Sequence, residues 1–205
     1  MHGLKTMFCF RSTFHLCSPT VFLRLLEQIP AKRSKWDVPA YRFHICRTGT
    51  NTTVGYISLR VGDSEITRYS GHVGYEVYPD YRGRDHSRQA TLVIAAFARE
   101  HGMSRLTLTV NPGNTPSRRI VESLGARFEG LLHIPGHLHH IYPEPEREKC
   151  VYDLSLTDLP MQRVTRSTEE NSRLEVGMER TWETGGHVIP TDRPPATGLF
   201  CLAPD

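Results

Sequence analysis

The segment "GHVGYEVYPDYRGRDHSRQATLVIAAFAREHG", residues 71–102, leaves little freedom in how its chain is arranged. Its first part alternates: Val73, Tyr75 and Val77 point one way, and His72, Gly74, Glu76 and Tyr78 the other. That is the two-residue period of a half-buried strand. Pro79 stops it. From about residue 86 to 101 the period becomes helical, with Ala90, Val93 and Phe97 on one face, Leu92 and Ala96 beside them, and Gly102 placed to end it. The junction between strand and helix is short and contains Arg82, Arg84 and Arg88. A helix that starts directly after a strand leaves its first N–H groups unpaired, and they converge near the positive end of the helix dipole. An anion is the natural occupant of such a place. Phosphates of a nucleotide-like cofactor suit it well, because successive N–H donors cradle several oxygens while an arginine adds charge. A structural turn with solvated arginines is the competing account.

The neighbouring segments continue the pattern. "AYRFHICR" and "VGYISLRVG" alternate around the turn-rich "TGTNTT", which predicts a hairpin, while "VFLRLLEQI" (21–29) is compatible with strand or helix. After the long helix, "RLTLTV" is a strand and "NPGN" a turn. In "TPSRRIVESLG", Asn114 or Thr115 caps a second helix with Pro116 in its first turn, and Gly125 stops it. "RFEGLLHIP" and "KCVYDLSL" close the domain as two more strands. The order β-β-β-β-α-β-α-β-β predicts an α/β fold with a mixed, mostly antiparallel sheet flanked by helices.

A chain of 205 residues with 38% hydrophobic content buries one good core, so one domain with extensions is expected. The limits read as an N-terminal extension over 1–19, a folded domain over 20–156 and a disordered tail over 157–205, where Thr, Arg, Glu and Pro replace any lasting period. Phe8, Phe10 and Phe14 are the residues of the otherwise unattached start with something to pack. The net charge of +3 is too small to imply nucleic acid, so any basic character that matters is local. No run approaches the ~20 apolar residues of a membrane span, and polar residues interrupt any leader-like core. Five scattered cysteines, with no C-x-x-C pair, argue for reduced thiols and a cytoplasmic protein.

The residues around the basic turn resemble a known family. "VYPDYRGRDHSRQA" is similar to the acyl-CoA-binding segment of the GNAT acetyltransferase superfamily, R/Q-x-x-G-x-G/A at a strand-to-helix turn, and "VNPGNTPSRRIVESLGA" resembles that superfamily's N-x-x-A segment, with Asn114, Ser117 and Gly125 in register. "WDVPAYRF", "GHVGYEV" and "REKC" resemble a bacterial subgroup of it. The resemblance runs over roughly residues 20 to 156. It implies acetyl-CoA as acyl donor, its diphosphate on the N–H groups of Gly83, Arg84, Asp85, His86 and Ser87 with Arg82 nearby. Its pantetheine arm would run beside the strand ending at Val77, within reach of Asn114. There are departures. Asp85 stands where glycine is usual and puts a carboxylate beside the diphosphate unless it turns outward or caps the helix; Ser87 is nearly as small as the usual residue; Val121 replaces a tyrosine that protonates the leaving thiolate.

Direct transfer to an amine needs a base near the thioester. His72 and Glu76 share one face of the strand, and His72 is the first choice because its ordinary pKa of about 6.5 suits proton traffic near neutrality; a hydrogen-bonded structural pair is the bland alternative. His133, His137, His139 and His140 form a polar loop rather than a metal site, since a Pro-rich loop fixes no ligand geometry. Glu144, Glu146 and Glu148 lie in the same loop, where they would attract a cationic acceptor. Trp36 and Tyr41 read as core or rim aromatics and Cys150 as packing. The expected function is acetyl transfer from acetyl-CoA to a primary amine on a small molecule or peptide, with no membrane, metal or nucleic acid involved, and room for a homodimer. The alternatives are a regulatory module that holds acyl-CoA without efficient turnover, and a scaffold whose tail recruits a partner.

Overall fold

The structure is a computed structural model and describes residues 8–14, 16–144, 146–157 and 159. The expected tail therefore lies outside the described residues except for its first few positions. Strands β1 (Val21–Ile29), β2 (Ala40–Arg47), β3 (Thr53–Arg60) and β4 (Val73–Val77) form one antiparallel sheet in the order β1-β2-β3-β4. The ambiguous first segment is thus a strand, with its register to β2 shifted between Leu25 and Glu27. Helix α2 (His86–Glu100) follows β4; β5 (Arg105–Val110), α3 (Thr115–Ser123), β6 (Arg127–His133) and β7 (Glu148–Ser155) complete the chain. The last three strands make a second antiparallel sheet, ordered β5-β7-β6. The elements expected from periodicity are all present, but as two sheets rather than one.

Alternation decides which face of each sheet is buried. The row Phe43, Ile57 and Tyr75 crosses three strands of the first sheet and packs against Ala90, Ile94 and Phe97 of α2. Tyr41 meets the Phe97 ring edge-on at 4.9 Å. Leu106, Leu108 and Val110 of β5, with Tyr152 and Leu154 of β7, extend the same core. Truncating Phe97 to alanine in such a site costs about 3–5 kcal/mol. Phe8 and Phe10 also pack on this core, and Arg11 N–H donates to the Tyr41 hydroxyl at 2.7 Å, whereas Phe14 is exposed.

Helix α1 (Glu65–Ser70), between β3 and β4, has no counterpart in the sequence reading. Six residues are too short to display a helical period; the cap makes the helix instead. Thr67 N–H donates to Ser64 Oγ at 3.0 Å, and Ser64 N–H donates to Thr67 Oγ1 at 2.7 Å. Its C-terminal end is held by Arg60, fully buried, whose Nη1 donates to the carbonyls of Ser70 and Gly71 at 3.0 Å each and whose guanidinium lies 4.5 Å over the Trp36 ring. Trp36 and Tyr41 are both buried, as anticipated. Among the described residues no helix is long and apolar enough to cross a membrane.

Gly55 on β3 lies opposite Val77, and a Cβ there would stand 2.0 Å from the Glu76 carbonyl oxygen. Gly55→Ala is expected to cost about 3 kcal/mol through this overlap. An unchanged midpoint in urea denaturation would show that β3 and β4 do not approach as described.

Candidate functional site

The two sheets meet at one place. His72 N–H donates to the Thr107 carbonyl at 2.7 Å, and Thr107 N–H donates to His72 Nδ1 at 2.8 Å. Among the described residues this is the only backbone hydrogen bond joining one sheet to the other. Gly71 makes the approach possible, because a Cβ at its position would lie 3.0 Å from both Thr107 O and Thr109 N. Past this point β4 and β5 are no longer paired. Arg60 N–H donates to His72 O and Tyr78 N–H to Val54 O, so the even-numbered residues of β4 bond to β3. By alternation the backbone groups of Val73, Tyr75 and Val77 face the other edge, toward β5. The Val77 carbonyl accepts from Arg82 Nε at 3.1 Å.

Beyond Val77 the chain turns through Pro79–Tyr81 and enters α2. Gly83 and Asp85 both have positive φ, +71° and +61°, which explains why glycine suits position 85 and why aspartate, tolerant of the left-handed region, is accepted there. Of the two arrangements expected of Asp85, turning outward or capping α2, the structure takes the first: its side chain makes no cap bond. Its left-handed backbone turns the carboxylate toward the flank of the first turn, where Oδ2 accepts from Gln89 Nε2 at 3.0 Å and Arg88 Nη1 at 3.4 Å. The first backbone bond at this end is Gln89 N–H to Asp85 O, so the N–H groups of Gly83, Arg84, Asp85 and His86 have no backbone partner. Gly83, Arg84 and Asp85 are exposed; His86 and Ser87 are buried.

The His86 ring, 7% exposed, has no hydrogen-bond partner at either nitrogen. Burial, reinforced by Arg47 and Arg84, holds its pKa below the usual value. His72 is 2% exposed and is also shifted down, mainly by burial, against the opposing pull of Asp63. Its Nε2 lies 3.3 Å from Asp63 Oδ1, outside hydrogen-bond alignment. With Nδ1 already accepting from Thr107, the lone pair that would take a substrate proton is engaged. Glu76 differs: it is partly exposed on the same face, opposite Tyr56. Asn114 stands at the head of α3, its Oδ1 accepting from Ser117 N–H at 3.1 Å. Val121 is buried in the core.

The β6–β7 loop packs on α1 rather than standing open. His137 contacts Glu65 at 2.8 Å, and Tyr142 donates to Ile66 O at 3.3 Å. Its three glutamates are engaged by neighbours: Glu144 by Arg147, Glu146 by Lys149 at 3.2 Å, and Glu148 by His133 at 3.1 Å. Lys149, fully buried, also donates to Asn111 Oδ1 at 2.5 Å. No sequence period signals this lysine, which sits where an exposed residue would be expected. Cys150 is buried, and burial pushes its thiol pKa up.

The chain is thus an α/β protein in which two strands part beside a helix N-terminus whose first amides have no backbone partner. The family model of the acetyltransferase (GNAT) domain matches residues 18–127, more than half of the chain, and the protein belongs to that family. Comparison with curated proteins gives no match. Solved structures similar to it include a GNAT-family acetyltransferase from Bacillus anthracis (23% identity, TM-score 0.45, covering 57% of this chain and 67% of that one). Others are the ribosomal-protein-S5-alanine acetyltransferase from Vibrio fischeri (21%, 0.44, 59% and 64%) and the microcin C7 self-immunity acetyltransferase MccE in complex with acetyl-CoA and AMP (16%, 0.45, 57% and 61%). The chain thus spans about two thirds or less of the length of each.

The depressed histidines set a pH dependence. In the unfolded chain His72 and His86 take protons near pH 6.5, while the folded protein keeps them neutral to lower pH. The unfolded state therefore binds more protons below 6.5, and stability, complete above that value, falls as the pH drops toward the folded pKa values. Each such group contributes a slope of up to about 1.4 kcal/mol per pH unit. Denaturation at pH 7 and pH 5 checks this: His86→Leu is expected to be less acid-sensitive than the parent, and equal sensitivity would show that His86 titrates normally.

Proposed function

We propose that the protein is an N-acetyltransferase that passes the acetyl group of acetyl-CoA directly to a primary amine, on a small molecule or peptide, without a covalent enzyme intermediate. The observation that supports this most is the continuity of donors. The outward edge of β4 ends at Val77, and four residues past Pro79 the N–H groups of Gly83, Arg84, Asp85 and His86 open at the head of α2.

Acetyl-CoA, when bound, supplies an activated thioester. The chain's own residues do the rest. The N–H groups of residues 83 to 87 and the Arg84 guanidinium hold the diphosphate at the positive end of the α2 dipole. Asp85, drawn aside by Arg88 and Gln89, leaves the amides of residues 83 to 86 uncovered. Arg82 fixes the strand end through the Val77 carbonyl, Val77 N–H stabilises negative charge on the acyl oxygen, and Asn114 contacts the pantetheine arm. Glu76 accepts the proton that the attacking ammonium must lose and hands it to solvent. His72 acts as a positioning residue by holding β4 to β5. The leaving thiolate takes its proton from water, because Val121 has none to give.

A second reading, an acyl-CoA-binding module with little turnover, is favoured by Val121. Calorimetric titration and an amine screen separate the two. Acetyl-CoA is expected to bind saturably below millimolar concentration, and some amine to release free CoA; binding without release from any amine leaves the module. In an active protein, Glu76→Gln is expected to lower kcat about 100-fold with acetyl-CoA affinity within about twofold. An unchanged kcat would remove the base assignment.

A further inference from the structure

Glu76 is one end of a row. Its partner across β3 is Tyr56, whose partner on β2 is His44, whose partner on β1 is Arg24. Four side chains thus cross the sheet on one face, at about 4.8 Å per strand. Tyr78 joins from the same face of β4, its ring 5.6 Å from that of Tyr56 and nearly perpendicular at 83°. The His44 ring is 5.1 Å from Tyr56 on the other side. Glu76, Tyr56, Tyr78 and His44 are all partly exposed and Arg24 is exposed, whereas the opposite face of these strands is buried under α2.

The chemistry changes along the row. A carboxylate stands at the edge where β4 leaves β5, aromatic rings occupy the middle, and Arg24 closes the far end, with Arg42 beside it on β2 paired to Glu27 at 3.4 Å. Burial, aided by Arg24 and Arg42, keeps the His44 imidazole below its usual pKa, so the middle of the row is uncharged near neutrality.

We propose that this row is the acceptor subsite and that it selects an arylalkyl primary amine with a neutral or anionic far end. The proposal rests on reading Glu76 and the β4–β5 gap as the acyl-transfer site. The ammonium meets Glu76 between the faces of Tyr56 and Tyr78, where a carboxylate and two π-systems all favour a cation. The aryl body lies on Tyr56 and His44, as aromatic pairs do at these separations. A polyamine is disfavoured, because its further ammonium groups, two to three strand spacings along, approach Arg42 and Arg24, and the carboxylate beside them, Glu27, is already paired to Arg42.

The test is calorimetric binding of three amines to the full chain saturated with CoA: phenethylamine, its para-carboxylate and spermidine. Both aryl amines are expected to bind at least about tenfold tighter than spermidine. Tyr56→Ala is expected to weaken them about tenfold with CoA affinity unchanged, while Tyr56→Phe, which keeps the ring and guards against a folding defect, retains binding. Arg24→Ala is expected to weaken only the carboxylate. Spermidine binding tightest, none of the three binding, or Tyr56→Ala binding the aryl amines as the parent does would each overturn the proposal. If CoA itself does not bind, this subsite and the acyltransfer reading fall together. Ordered amine binding without turnover supports the subsite and overturns only the catalytic reading.

Discussion

The bond pair between His72 and Thr107 is the constraint on which the rest of the site depends. Two antiparallel sheets, each complete in its own register, meet there and nowhere else in the described backbone ladder. Thr107 gives its carbonyl to a backbone N–H but its own N–H to an imidazole nitrogen. A side chain thus stands where a continued ladder would place the next carbonyl, and the ladder cannot propagate. Divergence follows. The buried His72 imidazole takes the Thr107 N–H that a continued ladder would use, and the strand edge beyond it is left without a partner strand.

The head of α2 depends on the same economy of donors. A helix entered through two residues of positive φ has no room for the usual capping side chain to turn back over its first amides. Asp85 shows the consequence: in a left-handed conformation its carboxylate falls beside Arg88 and Gln89, on the flank of the helix. An acid that looked like an obstacle at the helix head is instead bonded to the flank of its own helix. The chain adjoining this end is fixed by Arg82, which ties the turn back to Val77.

How much of this was legible depended on range. The alternation of β2, β3 and β4 and the helical period of α2 each repeat several times within one segment, so the local physics is over-determined. Helix α1 was not visible, because its six residues are specified by the Ser64–Thr67 exchange and by the distant Arg60 rather than by a period. Of the two candidate groups, parity along the strand placed both His72 and Glu76 on one face. It said nothing of Thr107, 35 residues further on, which engages one of them and not the other.

By itself the sequence determined the order of elements, the apolar and polar faces of each strand and the basic strand-to-helix turn, because these follow from periods and from the φ limits of single residues. Tertiary structure alone decided that the strands divide into two sheets, that β4 and β5 part at His72, that Asp85 lies aside, and that Arg24, His44, Tyr56 and Glu76 form one row. Each of these is a contact between segments far apart in the chain, settled by the packing of whole faces against α2 and by hydrogen bonds that no local pattern encodes.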